Sequence, residues 1–583
     1  MAALKNSRRA GARRPGPPAP GRARSTLRDA AGLVLLGAFL LVSFGDALRF
    51  PFINDDYVFL DRTRGASFGS LWGFGHLLFQ WYRPWSREFH YWLLQRLAGP
   101  SEPVFHAANL VLGLCVLASF ASFVRREAGT AASAWALAAA AALAAWGLPL
   151  LWVAGVQDLW MLLWALLALR AWAAERRGWA LLAYGLALLS KETACVLPGV
   201  LLAYDVTVGR RPLRDALARL APFAAVALVW AGVHPQLGGR LWRHVAIESA
   251  PPEARVAGPL ALLRAFALVV NLDAWPRPLG SLGGWVRAAA WPVALLVALV
   301  WVRWPRRDAD EPEIDPVSLS FTGACWAALG WAPLLLPGLG WHGYYGLFGA
   351  LGMIFALAPW VTRRLGLALL LVALVGGIGV ARAHTPSLDW GEASYQRRAA
   401  AALQVLRTNL LKLHAGVPRH ARLYFAGVPD RIGFLAGDGP ALRVWYRDRT
   451  LSGGFWSAYR ARRAEAPQAP DYFFAFDTTR GWVEVHAGPE NVEVARTLDR
   501  DWEENQRRLA TTLSDGGDWA LASASYEKLA GEHPKDATAA FRVAICRSQA
   551  GDSLGAADWL RRAVRLPGAG HEIRAAARAA HVE

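Results

Sequence analysis

The chain has 583 residues, 54% of them hydrophobic and 19% charged, which is long for one domain and too apolar for a disordered chain. Lys and Arg outnumber Asp and Glu by 63 to 45, a formal charge of +18. Many of the Arg residues flank apolar blocks, where they set topology and meet anionic headgroups, so the excess does not argue for nucleic acid. The four cysteines, Cys115, Cys195, Cys325 and Cys546, lack metal-ligand spacing and a disulfide framework, and read as small buried hydrophobes.

Residues 1–28 carry eight Lys or Arg, no acid and several Pro and Gly, and are expected to be disordered and cytoplasmic. The apolar run Ala30 to Leu48 follows; its length and its lack of a small-residue cleavage site favour an uncleaved first membrane helix over a signal peptide. Further apolar blocks lie at 105–124, 131–149, 156–174, 178–190, 194–207, 217–236, 286–303, 318–337, 343–361 and 365–383. Together they predict a polytopic α-helical membrane domain over 29–383 with about 11 transmembrane helices. The blocks 178–190 and 194–207 are short for full spans, and read as tilted helices or a re-entrant hairpin.

Arg125-Arg126, Arg176-Arg177, Arg210-Arg211, Arg303 with Arg306-Arg307, and Arg363-Arg364 fall on alternate connections. The positive-inside rule then places the N-terminus in the cytoplasm and the tail outside it, in what is expected to be a bacterial inner membrane. Two loops on the outer side are long, 49–104 and 237–285. The second holds an apolar segment at 260–271 whose ends face the same side, which makes it interfacial or half-inserted.

The tail divides in two. Residues 384–500 alternate helix-like and strand-like stretches, such as Arg422 to Phe425 and Tyr472 to Phe476, and predict a small α/β soluble module. Residues 501–583 hold two copies of a 34-residue period. Gly517-Asp518 recurs as Gly551-Asp552, Ala510 as Ala544, Ala522 as Ala556 and Tyr526 as Leu560, with Pro534 and Pro567 after the copies. That pattern predicts tetratricopeptide-like helix pairs.

Residues able to do chemistry gather on the outer face of this map. Asp55 and Asp56 stand side by side just past the first membrane helix, next to Tyr57. A part-desolvated carboxylate there could act as a general base, although a helix cap is the plainer reading. Tyr82 and Arg83 follow; Arg suits phosphate through its planar fork of donors, and the aromatics suit a sugar or the headgroup layer. His106 and Asn109 share one helix face, where a structural hydrogen bond is the first expectation. Asp158 begins a helix and reads as a cap. Lys191 and Glu192 separate the two short blocks and need pairing or proximity to the surface. His342, Tyr344 and Tyr345 open another helix on the same face.

The order of these motifs resembles a known group. An acidic pair after the first helix is followed by Tyr-Arg-Pro at 82–84, Phe-His-x-x-Asn at 105–109, Ser-Lys-Glu-Thr at 190–193, the Tyr344-Tyr345 helix start and then the repeats. This looks like the transmembrane and tetratricopeptide-repeat mannosyltransferases and their bacterial relatives, within the C-type multi-spanning glycosyltransferases. The resemblance implies a polyprenyl-phosphate-linked sugar donor and a catalytic Asp55 or Asp56. It matches Lys191 and Glu192 to the family's Lys-Glu motif. The chain departs from the pattern in having His342-Gly343 where the family has an acid or Arg before the tyrosines, and in having only two repeats.

The expectation is therefore transfer of a mannose-like or other hexose from a lipid-linked donor to an acceptor hydroxyl. Arg83 and Lys191 would steady the departing phosphate, and the tail would recruit a protein or glycan acceptor. The carboxylate pair could work with a divalent cation or without one. The main alternative is a non-enzymatic scaffold that uses its repeats to bind a partner. A transporter is weaker, because the interiors of 131–149 and 365–383 carry no charge.

Overall fold

The computed structural model describes residues 20–74, 81–234, 258–274, 281–305, 315–335, 341–387, 389–426, 439–456, 467–477, 481–485 and 519–582, with isolated positions between 457 and 518. Residues 1–19 of the basic N-terminal stretch and most of 501–518 lie outside them.

The protein is a polytopic α-helical membrane protein. Eight helices among the described residues are long and apolar enough to cross a bilayer: Leu27–Arg49, Glu102–Ala141, Val153–Ala173, Leu213–Val233, Leu282–Arg303, Pro316–Leu335, Gly343–Val361 and Leu365–His384. In chain order the α-helices of this part are α1 (Pro20–Phe44), α2 (Asp55–Thr63), α3 (His90–Ala98), α4 (Glu102–Ala141), α5 (Gly147–Leu151), α6 (Val156–Ala173), α7 (Arg177–Leu188), α8 (Leu197–Thr207), α9 (Leu213–Val233), α10 (Gly258–Leu268), α11 (Leu282–Arg303), α12 (Pro316–Trp331), α13 (Leu347–Val361) and α14 (Leu365–His384).

Two blocks that the sequence separates run together. α4 is two helices joined at Gly129, whose φ of 84° and ψ of 178° only glycine adopts freely, so the chain bends without a loop. Ser133 Oγ then donates to Ala121 O at 2.7 Å across the bend. The short pair is indeed short: α7 has 12 residues and α8 has 11, about 18 Å and 16 Å at 1.5 Å per residue against a core of about 30 Å. α7 lies against α6 and brings the 189–191 turn back to the level of Asp158, where the chemistry gathers. α10 is an 11-residue apolar helix with Leu263 and Phe266 exposed, as an interfacial segment would be.

Glycine sets the closest helix pairing. A Cβ on Gly323 would lie 2.6 Å from Ala356 N, and one on Gly330 would lie 2.7 Å from Gly349 Cα, so α12 and α13 meet backbone to backbone. Asp315 caps α12 by accepting from Val317 N and Ser318 N, ahead of Pro316 at its first position. The cysteines depart from expectation: only Cys546 is buried, while Cys115 and Cys195 are exposed on the helix bundle, a position that suits lipid as well as it suits a core.

After α14 comes α15 (Ala393–Leu413), then β1 (Arg422–Ala426), α16 (Pro440–Trp445), β2 (Ser452–Phe455), β3 (Asp471–Asp477) and β4 (Gly481–Glu484). The sheet order is β2-β1-β3-β4; β1 runs parallel to β2 and β3, and β4 antiparallel to β3. Both strands read from the sequence are present. α15 covers the sheet, with Trp482 Nε1 donating to Leu406 O at 3.0 Å. This layer clamps α2. Arg443 Nε donates to Asp61 Oδ2 at 2.8 Å, and Arg64 donates to Arg443 O and Arg447 O at 3.2 and 3.1 Å. The last helices are α17 (Trp519–Glu532), α18 (Ala537–Gln549), α19 (Ser553–Arg565) and α20 (His571–Ala579). α17 and α19 begin 34 residues apart, and Ala522, Tyr526, Ala544, Ala556 and Leu560 are all buried.

Candidate active site

The acidic pair is set by a sharp turn. Residues 51–53 lie outside any helix or strand, and Asn54 takes a positive φ of 49° before α2 begins at Asp55. Both carboxylates thus sit in the first turn of a helix, where the free N–H groups favour negative charge. Their surroundings differ. Asp56 is fully buried. Its Oδ2 accepts from Ile53 N at 2.9 Å, and its Oδ1 accepts from Tyr91 OH and Ala154 N, each at 2.8 Å. Burial pushes its pKa up to about 8, against those three donors. Asp55 is part-buried and has no hydrogen-bond partner among the described residues. Burial raises its pKa to about 6, with Arg87 and Arg83 pulling the other way. One aspartate is a strut joining α2, α3 and the 153–155 turn; the other is available.

Opposite them, the chain around 81–89 packs on the turn between α7 and α8. Trp85 N donates to Leu189 O at 3.2 Å, and Ser86 Oγ donates to Ser190 O at 2.7 Å. This docking delivers Arg83 to Glu192. Arg83 Nε lies 2.9 and 3.0 Å from the two carboxylate oxygens, Nη2 lies 2.6 Å from Oε2, and Nη1 donates to Gln157 Oε1 at 2.8 Å. His234 Nε2 stands 3.4 Å from the same Glu192. Burial works to raise the Glu192 pKa, but Arg83 and His234 outweigh it and hold it near 2. Lys191 Nζ donates to both oxygens of Asp158 at 2.6 and 2.7 Å and lies over the rings of Tyr344 and Tyr345 at 5.0 and 4.8 Å. Burial lowers the Lys191 pKa, and Asp158 opposes the shift. Asp158 is an ion-pair partner as well as a first-turn residue.

The third wall is aromatic. His342 packs against Trp390 with ring centres 4.2 Å apart at an interplanar angle of 54°, and flanks Tyr344 and Tyr345 at 5.9 and 5.6 Å. Trp390 meets Trp152 at 5.9 Å, and Trp152 Nε1 donates to Ile53 O at 3.2 Å. The wall therefore closes back on the acidic turn.

The structure brings together Asp55, Asp56, Arg83, Asp158, Lys191, Glu192, His342, Tyr344 and Tyr345. It places the remaining four differently. Tyr57 is fully buried and its OH accepts from Trp445 Nε1 at 3.0 Å. Tyr82 stacks on Phe74 and its OH donates to Trp72 O. Asn109 Nδ2 donates to Pro149 O, Trp152 O and Val153 O, tying α4 to the 149–153 turn, and His106 is buried with its ring edge-on to Phe50. These are supports, as the sequence leaned for Asn109. Sequence reasoning missed Gln157, His234, Arg87, Trp152, Asp389 and Trp390. Gln157 had a signal, a polar neighbour of Asp158 at the head of an apolar helix; Asp389 and Trp390 had none.

Each cation here already has a carboxylate: Arg83 with Glu192, Lys191 with Asp158, and Arg87 with Glu88, Nε to Oε1 at 2.7 Å. Among the described residues no three His, Cys, Asp or Glu side chains converge as a metal site. A separate cavity of about 330 Å³ lies between α1, α11 and α14, lined by Phe39, Leu296 and Gly376 with Asp46 and Arg397 among its polar residues, and shares none of the site's side chains.

No protein-family profile matches the sequence, and no curated protein matches it. Two solved structures align with the chain. ArnT from Cupriavidus metallidurans in the apo state gives a TM-score of 0.39 at 15% identity over 79% of this chain and 94% of that one. ArnT from the same organism bound to undecaprenyl phosphate gives 0.37 at 17% identity over 83% and 97%.

Proposed function

We propose that this chain is an integral membrane glycosyltransferase. It moves a hexose, mannose-like or other, from a polyprenyl-phosphate donor to an acceptor hydroxyl on the extracytoplasmic side of the bacterial inner membrane. The observation that carries the reading is Asp55: a part-buried carboxylate with no hydrogen-bond partner among the described residues, raised toward neutral pH, in the first turn of α2 and within electrostatic reach of Arg87 and Arg83. A base of that kind takes the acceptor proton as the acceptor oxygen attacks the anomeric carbon, with inversion. Arg83 and Lys191 steady the departing phosphate, and Tyr344, Tyr345, Trp152 and Trp390 offer faces for the sugar. The order of motifs along the chain supports the same class.

The boundaries that fit this function are the membrane domain over 29–383, the α/β module over 384–500 and the repeats over 501–583. The last would recruit the acceptor, as a tetratricopeptide-like module. One observation favours a scaffold instead: each cation is already neutralised, as in a network that only holds helices together. The two readings part at Asp55. Replacing Asp55 and Asp56 with Asn in folded protein, reconstituted with a polyprenyl-phosphate sugar, abolishes transfer if the enzyme reading is right. Transfer at the wild-type rate would overturn it.

A further inference from the structure

The chain leaving α14 doubles back over one imidazole. His342 Nδ1 and Asp389 Oδ1 are 2.7 Å apart. A carboxylate only accepts, so Nδ1 carries the proton and Nε2 is the ring nitrogen left unengaged by Asp389. Asp389 is itself fixed: its Oδ1 also accepts from Gly391 N at 2.8 Å, and its own N donates to Ser387 Oγ at 3.1 Å. A Cβ on Gly391 would stand 3.2 Å from both His342 Cβ and Nδ1, so the absence of a side chain there permits the close pass. Trp390 lies against the ring, tilted at 54°. Glu392 is held by Arg382, which also faces Asp273 at 3.8 Å. The charged and titratable groups around His342 are thus Asp389, Glu392, Arg382 and Asp273, with Tyr344, Tyr345 and, across those rings, Lys191. Nε2 has no hydrogen-bond partner among the described residues and keeps contact with solvent space.

We propose that His342, aimed by Asp389, is a second proton-handling residue of the site and gives its Nε2 proton to the phosphate that leaves. This rests on the transferase reading above. When the acceptor oxygen bonds to the anomeric carbon, the bond from that carbon to the phosphate oxygen breaks and its electron pair stays on the oxygen. A phosphodiester monoanion becomes a phosphomonoester whose second ionisation lies near about 6, so the departing oxygen is basic enough to take a proton. The proton passes from Nε2 to that oxygen while Asp389 stays ionised. Asp55 holds the proton from the acceptor, and its return to His342 through water resets the site. His342 would be a catalytic residue and Asp389 a positioning residue, and neither fits the family pattern, which has an acid or Arg before the tyrosines.

The test uses the full chain in lipid nanodiscs. His342→Gln lowers kcat about 100-fold with the donor KM little changed, and removes the fall in kcat on the alkaline side of the wild-type profile. Asp389→Asn keeps that fall but moves it to lower pH. A His342→Gln profile with the same alkaline fall, or a loss confined to KM, overturns the proposal. A second measurement needs no turnover: binding of a polyprenyl monophosphate, followed by tryptophan fluorescence at pH 6 and pH 8. Wild type binds more tightly at pH 6, and His342→Gln binds alike at both. Equal binding by wild type at the two pH values, or a preference kept by His342→Gln, overturns the proposal. A wild type with the pH preference that transfers no sugar from any polyprenyl-phosphate donor overturns the transferase reading, and proton donation with it.

Discussion

Trp445 Nε1 donates to Tyr57 OH at 3.0 Å, joining α16 of the sheet layer to the helix that carries Asp55 and Asp56. Arg443 reinforces the joint through Asp61 at 2.8 Å. The soluble layer is therefore part of what holds the acidic turn. Trp445→Phe removes one part-buried hydrogen bond and costs about 1 kcal/mol. Combined with Arg443→Ala it should lower kcat several-fold and speed amide exchange in α2 while α6 and α13 stay protected. Exchange mass spectrometry reads both; unchanged protection of α2 would detach the layer from the site.

The two adjacent aspartates should respond differently to the same substitution. Asp55→Asn should cut transfer at least 100-fold without lowering thermal stability, since its carboxylate accepts from no donor among the described residues. Asp56→Asn turns an amide toward two backbone N–H groups and should cost roughly 2–3 kcal/mol, visible as a lower Tm in detergent. Equal stability losses in the two variants would contradict the division of labour.

Asp55 also sets a pH dependence. Its folded pKa, about 6, lies above the ordinary 3.8. The folded state therefore holds this proton more tightly, and the group's contribution is fully present below about 4 and lost as pH rises through about 6. Two outcomes follow from that sign. Transfer needs the ionised form, so the acid limb of the kcat profile should climb through about pH 6, ahead of the alkaline fall assigned to His342. Asp55→Asn should be more stable than wild type at pH 7 by roughly 1–3 kcal/mol, and the difference should vanish at pH 4. A Tm difference that does not change with pH would refute the second outcome.

The pair Lys191–Asp158 separates stability from activity. Lys191→Met leaves Asp158 buried beside Gln157 with no counter-charge, which should cost 3–5 kcal/mol on the scale of about that size for broken buried pairs. Adding Asp158→Leu should restore the Tm, because two apolar groups replace two charges. Transfer should stay lost in both variants if Lys191 serves the phosphate. Recovery of activity together with stability would make the pair structural alone.

The fold was largely legible because apolar blocks of spanning length advertise themselves. The joint at Gly129 was not, since Arg125, Arg126 and Glu127 just before it mark a break between apolar blocks without saying whether a loop or a bend makes it. Lys191 and Glu192 were recognised as needing partners because charge among apolar neighbours is costly. Their partners, Asp158 and Arg83, come from segments 33 and 109 residues away, a distance no local pattern spans. Tyr57 was a candidate because it stands beside the acids; its contact with Trp445, 388 residues on, has no signal in the local sequence. Asp389 and Trp390 sit in an unpatterned connection and become meaningful only when the chain folds back on His342.

The brace on α2 also has a consequence in time. Tyr57 and Trp445 are separated by 388 residues, and ribosomes add roughly 5–20 residues per second, so the first is made about 20–80 s before the second. Throughout that interval the nascent protein has its carboxylates and its first spans but not the part that locks them. A product terminated before residue 443 would carry every acidic and basic residue of the first loop and still be born unbraced.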